Sequence, residues 1–253
     1  MLKTVDLASE LLMKFNRHQP SWSAKALAKA LNQNYSTIYR IVKTLHKHDF
    51  LAYDDTTKTY SLGISIWQLG QVVDNSMNLE SLIRPYLTKL KDLTGESVFF
   101  TIRKGYRGIT LLAVEPENKV KFTAETGASV PLFPGASYRS ILAYQPEEFV
   151  EELIEGGLPQ YTPNTMTNPN KLRKELEKIR VDGYARSEGE YTPDVIAWAV
   201  PIRDFENKVN CSVTLSGPTY RANNLDQNQA IYQLKETALE VERILRQTAY
   251  RFQ

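Results

Sequence analysis

The sequence predicts an α+β chain of two domains: a small three-helix unit closed by a hairpin, a linker helix, and a larger mixed domain. Three observations carry that reading. Three short amphipathic stripes and a hairpin pattern fill residues 1–62. An apolar helical segment follows at 63–77, and strand-like and helix-like segments are then interleaved over 78–253.

Size and composition narrow the function classes. The 253 residues are 42% hydrophobic and 24% charged, as in globular proteins that fold around a core. The longest uncharged apolar stretches, such as Val195–Ile202, are far shorter than the ~20 residues that cross a bilayer. The first twenty residues carry charges throughout and lack the apolar centre of a signal peptide, so a cytoplasmic protein is expected. A single cysteine, Cys211, excludes an internal disulfide and any multi-cysteine metal site. No cofactor or metal is expected.

Charge is uneven along the chain. Residues 1–62 hold nine Lys or Arg against five Asp or Glu, a net +4, and the remainder is net −2. His18, His46 and His48 also fall in the first segment. A small basic unit ahead of a mildly acidic one points to a polyanionic partner for the first.

Val5, Ala8, Leu11, Leu12 and Phe15 recur at helical spacing and predict a helix over residues 3–15. Ser23 is a good N-cap for a second helix striped by Ala24, Leu27, Ala28 and Leu31. Asn32-Gln33-Asn34 forms a tight turn, and Ile38, Ile41, Val42 and Leu45 mark a third helix. This is a helix-turn-helix arrangement. Off the apolar stripe of the third helix lie Ser36, Thr37, Tyr39, Arg40, Lys43, Thr44 and Lys47. Short hydrogen-bonding residues near its start and cations beyond suit a helix that reads double-stranded DNA in the major groove and grips phosphates. Phe50–Tyr53 and Thr59–Gly63 then predict a hairpin, a wing whose tip carries Lys58 within reach of a phosphate or the minor groove.

In helix three, the run Asn34-Tyr35-Ser36-Thr37-Ile38-Tyr39-Arg40-Ile41-Val42-Lys43-Thr44-Leu45 resembles the IclR-type transcription regulators. Tyr60-Ser61-Leu62-Gly63, Leu69-Gly70 and Leu93-Thr94-Gly95-Glu96 extend the likeness. Gly183-Tyr184-Ala185, Ala199–Asp204 and Leu215-Ser216-Gly217-Pro218 complete it, so it spans nearly the whole chain. The resemblance implies a winged helix-turn-helix, a linker helix and a GAF-like effector-binding domain, assembled as a homodimer or dimer of dimers on an operator. It implies ligand-responsive regulation, more often repression than activation, by a small organic acid.

Read without the family, the remaining segments agree with such a domain. Ile64, Trp67, Leu69 and Val72 give a helix with a large apolar side chain turned away from the small unit's core. Leu79–Leu93 predicts a second helix, with Arg84-Pro85 as a site for a kink near its start. Strands are predicted at Val98–Arg103, Ile109–Glu115, Lys119–Thr126, Val195–Ile202 and Val209–Ser216. Helices are predicted at Ala136–Tyr144, Pro146–Glu155, from Asn168 to Val181, and over Leu225–Phe252. Catalysis finds no support. No histidine follows position 48 to activate Cys211, and no Gly-rich phosphate loop is present.

Positions carried over from the resembling family place effector contacts at Ala136, Ser137, Arg139, Ser187, Ala197, Thr214 and Ser216. Ser187 and Ala197 stand where glyoxylate- and pyruvate-sensing members have an aspartate and a cysteine, whereas Thr214 and Ser216 keep the hydroxyls. Tyr138-Arg139-Ser140 replaces a common Gly-Lys-Ala. Two readings stand for it: an arginine gripping a ligand anion beside a stacking tyrosine, or a surface arginine beside a core tyrosine. Phe133, Tyr191 and Trp198 are further lining candidates, Trp198 equally a packing residue. These departures favour a larger effector, an aromatic or sugar-derived acid. The competing function is an architectural DNA-binding protein whose second domain only oligomerises.

Overall fold

A computed structural model of the chain describes residues 2–16, 19–77, 79–222 and 225–248. The chain divides into two compact units, Met1–Asn78 and Leu79–Gln253. His18 lies outside the described residues.

The first unit runs α1 (Lys3–Leu12), β1 (Ser21–Trp22), α2 (Ala24–Ala30), α3 (Tyr35–Lys47), β2 (Leu51–Asp54), β3 (Thr59–Leu62) and α4 (Ile64–Met77). Ser23 caps α2, its hydroxyl accepting from the Ala26 N–H at 3.2 Å. Asn32 takes the left-handed conformation, φ 50°, that the tight turn into α3 requires. Leu11, Leu27, Ile38, Val42, Leu51 and Tyr60 close the core between these elements. Helix α1 stops at Leu12, three residues earlier than the periodicity predicts, yet Phe15 is still buried.

The hairpin forms with Leu51 opposite Leu62 and Tyr53 opposite Tyr60. A third strand without a signature in the local sequence, β1, pairs Trp22 with Tyr60 and completes the order β1-β3-β2. Two residues are too few to display a period of two, so β1 is held by tertiary bonds, including Trp22 Nε1 to the Lys14 carbonyl at 3.2 Å.

The second unit runs α5 (Leu79–Thr94), β4 (Ser97–Lys104), β5 (Arg107–Val114), β6 (Ser129–Pro131), α6 (Ala136–Leu142), α7 (Glu147–Glu155) and α8 (Pro169–Asp182). It continues with β7 (Ala185–Glu188), β8 (Val195–Arg203), β9 (Val209–Pro218), α9 (Thr219–Ala222) and α10 (Gln227–Gln247). Its strands form one antiparallel sheet in the order β6-β5-β4-β9-β8-β7. Helices α5 and α10 pack on the sheet and on each other, and α6 packs across its centre. Asn168 caps α8, accepting from the Lys171 N–H at 3.0 Å, and Gly183 ends it at φ 74°. Helix α5 continues through Pro85. The predicted C-terminal limit of the closing helix at Phe252 lies outside the described residues.

One sheet expectation needs correcting. Lys119–Thr126 is not a strand. Side chains take carbonyls there in place of a ladder: Ser97 Oγ donates to Phe122 O at 2.7 Å and Arg221 Nη1 to Val120 O at 2.9 Å. The strand beside β5 is instead β6, with Gly108 opposite Val130. The edge strand β7 was also unforeseen, because its buried positions are only Ala185 and Ser187, too small and polar to read as an apolar alternation.

Candidate functional site

Packing fixes the outward face of α3. Ile38, Ile41 and Val42 are buried against α1 and α2, so the 100° step per residue turns Ser36, Arg40, Lys43 and Lys47 away from the core. All four are exposed, as are Thr37, Tyr39 and Thr44. Thr37, Arg40 and Thr44 line one side of a groove whose other side is Thr4, Val5 and Ala8 of α1. The Thr44 hydroxyl donates to the Arg40 carbonyl at 2.9 Å. On the other side, the Lys43 ammonium lies 5.6 Å from the Tyr39 ring and 5.7 Å from the Tyr53 ring, so the wing holds the cation in place.

The wing tip is less basic than its lysine alone implies. Asp54 accepts from the Thr56 N–H at 2.8 Å, and that bond holds its carboxyl below the usual range. Lys58, at φ 55°, faces Asp55 at 3.6 Å. Two carboxylates beside one ammonium leave the tip net negative, which weakens its pull on phosphate.

In the second unit, antiparallel register assembles a face of small side chains beneath α6. Ser187 stands opposite Ala197, Ala197 opposite Ser216, and Ser216 opposite Ser97, giving one row across four strands. Two residues along, Ala185, Ala199, Thr214 and Phe99 make the next row. Ser212 and Thr214 reach α6 directly. Ser212 Oγ donates to Ser137 O at 2.9 Å, and Thr214 Oγ1 donates to Ser137 Oγ at 2.8 Å. Ser187 Oγ accepts from the Ala136 N–H at 2.9 Å, while Ser216 Oγ donates to Ile196 O at 3.0 Å. Six of the seven positions carried over for an effector therefore meet at one place. Trp198, next to Ala197 on β8, points by strand alternation to the opposite face and is a packing residue.

The seventh position, Arg139, is fully buried, which corrects the surface reading of this residue. Its guanidinium takes the Glu190 carboxylate in a two-pronged pair, with Nη2 to Oε1 at 2.7 Å and Nη1 on Oε2. Nη1 also donates to Phe133 O at 3.3 Å and Nη2 to Arg186 O at 2.9 Å. The Glu190 carboxylate also accepts from the Gly135 N–H at 3.4 Å, and the Thr165 hydroxyl holds the Glu190 carbonyl at 2.7 Å. The anion that Arg139 grips thus belongs to the chain itself.

Tyr138 packs its ring on the Cα of Gly108, where an added Cβ would lie 2.5 Å from the ring. Burial pushes its phenol up. Tyr161 lies 6.2 Å from Phe133 and 4.9 Å from Tyr191, ring to ring. Three contributors were not foreseen. Ser212 was legible as the first member of the hydroxyl alternation Ser212, Thr214, Ser216. Glu190 follows a turn and carries no periodic signal. Tyr35 lies beside Tyr39 on α3 without belonging to its apolar stripe. Cys211 is fully buried and its thiol is pushed well up by burial, so it offers no nucleophile. Among the described residues no three His, Cys, Asp or Glu side chains group as metal ligands. No helix among them is long and apolar enough to cross a membrane.

Known proteins share this architecture. Residues 4–55 match the IclR helix-turn-helix domain, and residues 71–243 match the bacterial transcriptional regulator IclR C-terminal domain. The HTH-type transcriptional regulator KipR of Bacillus subtilis is 28% identical over 242 residues, covering 95% of this chain and 96% of that protein. The crystal structure of an IclR transcriptional regulator from Alicyclobacillus acidocaldarius superposes with TM-score 0.85 at 28% identity, over 96% of this chain and 98% of that one. An IclR homologue from Microbacterium hydrocarbonoxydans, complexed with 4-hydroxybenzoate, has the same fold at TM-score 0.82 and 21% identity, over 96% and 99% of the two chains. A helix-turn-helix braced by a wing, a sheet crossed by one short helix, and family matches from residue 4 to residue 243 lead to one conclusion: the chain belongs to the IclR family of DNA-binding transcriptional regulators and is not an enzyme.

Proposed function

We propose that the chain is a repressor that releases its operator when an aromatic carboxylic acid binds beneath α6, and that it works as a homodimer or dimer of dimers. One observation carries the effector reading. Ser137 Oγ and Ser187 Oγ both accept hydrogen bonds within the fold, so each keeps its own proton to donate. Two such donors above a floor of Ala197 and Ala199 suit the oxygens of a carboxylate on a flat body. The neighbouring Tyr161 and Tyr191 rings suit the aromatic part. Arg139, with its fork held by Glu190, frames this site and leaves ligand charge to the hydroxyls.

On the DNA side, Ser36, Thr37 and Tyr39 supply base-edge contacts, with Arg40 and Lys43 on guanine or phosphate. Thr44 and Lys58 complete the footprint. Replacing Arg40 with alanine is expected to weaken operator binding by about 1–3 kcal/mol, read by fluorescence anisotropy. Unchanged binding removes Arg40 from the reading face. Helix α4, with Ile64, Trp67, Leu69 and Val72 exposed, supplies apolar surface for pairing with a second copy and carries the ligand's bias to the DNA unit. A ligand shifts that balance only through its different affinity for the two arrangements.

The test is operator release against a panel of benzoates, phenylacetates and sugar acids, with 4-hydroxybenzoate as the first compound. Release by a benzoate supports the reading. Ser137→Ala is then expected to weaken that acid about tenfold or more, the loss of a hydrogen bond to a charged group, with operator affinity unchanged when no acid is present. DNA binding that no acid shifts, together with an unmoved melting temperature, is the behaviour of the architectural alternative.

A further inference from the structure

We infer that Tyr35 and Tyr39 form an apolar wall on α3 that reads the 5-methyl groups of thymine, which makes Tyr35 a specificity-determining residue; the inference rests on the DNA-binding reading of this helix. Tyr35 is 54% exposed and Tyr39 40% exposed, on the first turns of the helix. As an i, i+4 pair they stack on one another, with centroids 5.7 Å apart and an interplanar angle of 27°. Two stacked rings turned to solvent beside Ser36 and Arg40 contribute nothing to the core formed by Ile38, Ile41 and Val42. Their apolar surface is available to whatever the helix meets.

Chemistry narrows what that is. The major groove presents donors and acceptors at every base pair and a single apolar feature, the thymine methyl. A tyrosine wall complements that methyl, while Arg40 next to it complements guanine. Lys43 adds a geometric reason. Its ammonium is seated between the Tyr39 and Tyr53 rings, so the aromatic flank of α3 ends in a fixed cation on the wing side. A phosphate held there brings the rings alongside the groove floor instead of the backbone. The side chain of Asn34, just before Tyr35, makes no capping bond to α3, and the outer ring stays more than half exposed.

The experiment uses the full-length protein to select duplexes from a random library. Each thymine of the winning duplex is then replaced singly by deoxyuridine, which deletes only the methyl group. The expected result is at least one thymine whose replacement weakens the unmodified protein about fourfold, the loss of one buried methyl. Tyr35→Phe keeps that penalty, and Tyr35→Ala binds the thymine and uracil duplexes equally. Should alanine lower the melting temperature, Tyr35→Lys repeats the test on a substitution suited to an exposed helical turn. A winning duplex indifferent to uracil at every position overturns the inference alone, as does a Tyr35→Ala protein that keeps the full penalty. A library that yields no winner overturns the inference and the DNA reading beneath it together.

Discussion

Replacing Glu190 with alanine is expected to lower the stability of the C-terminal unit by about 3–5 kcal/mol, because it strands a fully buried guanidinium without its anion. Arg139 reaches from α6 to the Phe133 carbonyl and the β7 carbonyl of Arg186, and two neutral carbonyls do not balance its charge when Glu190 is removed. The same deletion at an exposed pair provides the comparison. Arg173 and Glu151 meet at 2.5 Å with about two-fifths of each side chain exposed, and Glu151→Ala is expected to leave the melting temperature nearly unchanged. Calorimetric unfolding of both variants decides the matter. Equal effects would mean that the Arg139–Glu190 pair is solvated in solution and does not hold α6 to the loop after β7. The double replacement Arg139→Met with Glu190→Leu is expected to recover most of the loss, since it removes both charges at once.

The second large effect is at Gly63, where β3 passes into α4. A Cβ there would lie 2.1 Å from the Asp49 carbonyl oxygen and 3.0 Å from the Leu51 nitrogen, both main-chain atoms. The junction is bolted at that point: Gly63 N–H donates to Phe50 O at 2.9 Å, and Ser65 N–H donates to Asp49 O at 3.1 Å. Gly63→Ala must push the start of α4 off the turn between α3 and β2, at a cost of about 3 kcal/mol, the upper part of the overpacking range. DNA binding should fall with it, since the wing and the linker share that anchor. Gly70, seven residues further along α4, has nothing within 4 Å of its Cβ position. Gly70→Ala is therefore expected to stabilise the helix by about 0.5–1 kcal/mol. If both alanines behave alike in thermal unfolding, the close approach at Gly63 is not maintained in solution.

The reach of the sequence differs between the two units for physical reasons. The first is built from local periodicity. Ile38, Ile41, Val42 and Leu45 declare a helix face within one heptad, and Asn32 declares the turn before it. Helix α3 and its outward residues were legible for that reason, while the two-residue β1 escaped. The second unit depends on pairing between distant segments. Ser187, Ala197 and Ser216 share a row because three strands align, and no local pattern contains that alignment. Family resemblance supplied those positions, with the alternation of Thr214 and Ser216 as the one trace visible in the chain. Arg139 shows the limit most clearly. Its partner lies 51 residues away on an aperiodic turn, so the arginine's chemistry was readable while its occupant was not. Lys119–Thr126 failed in the opposite direction, since β-forming residues there lose their carbonyls to Ser97 and Arg221.

Whether α3 reads DNA sequence is decided by the ratio of two affinities. The full-length protein is titrated at fixed salt against the duplex it selects from a random library and against an unrelated duplex of equal length. The expected result is preference for the selected duplex by about a thousandfold or more, with that duplex carrying an inverted repeat whose half-sites are centred about one helical turn, or a multiple of it, apart. Equal affinity for the two duplexes would contradict it, because binding would then rest on backbone charge alone.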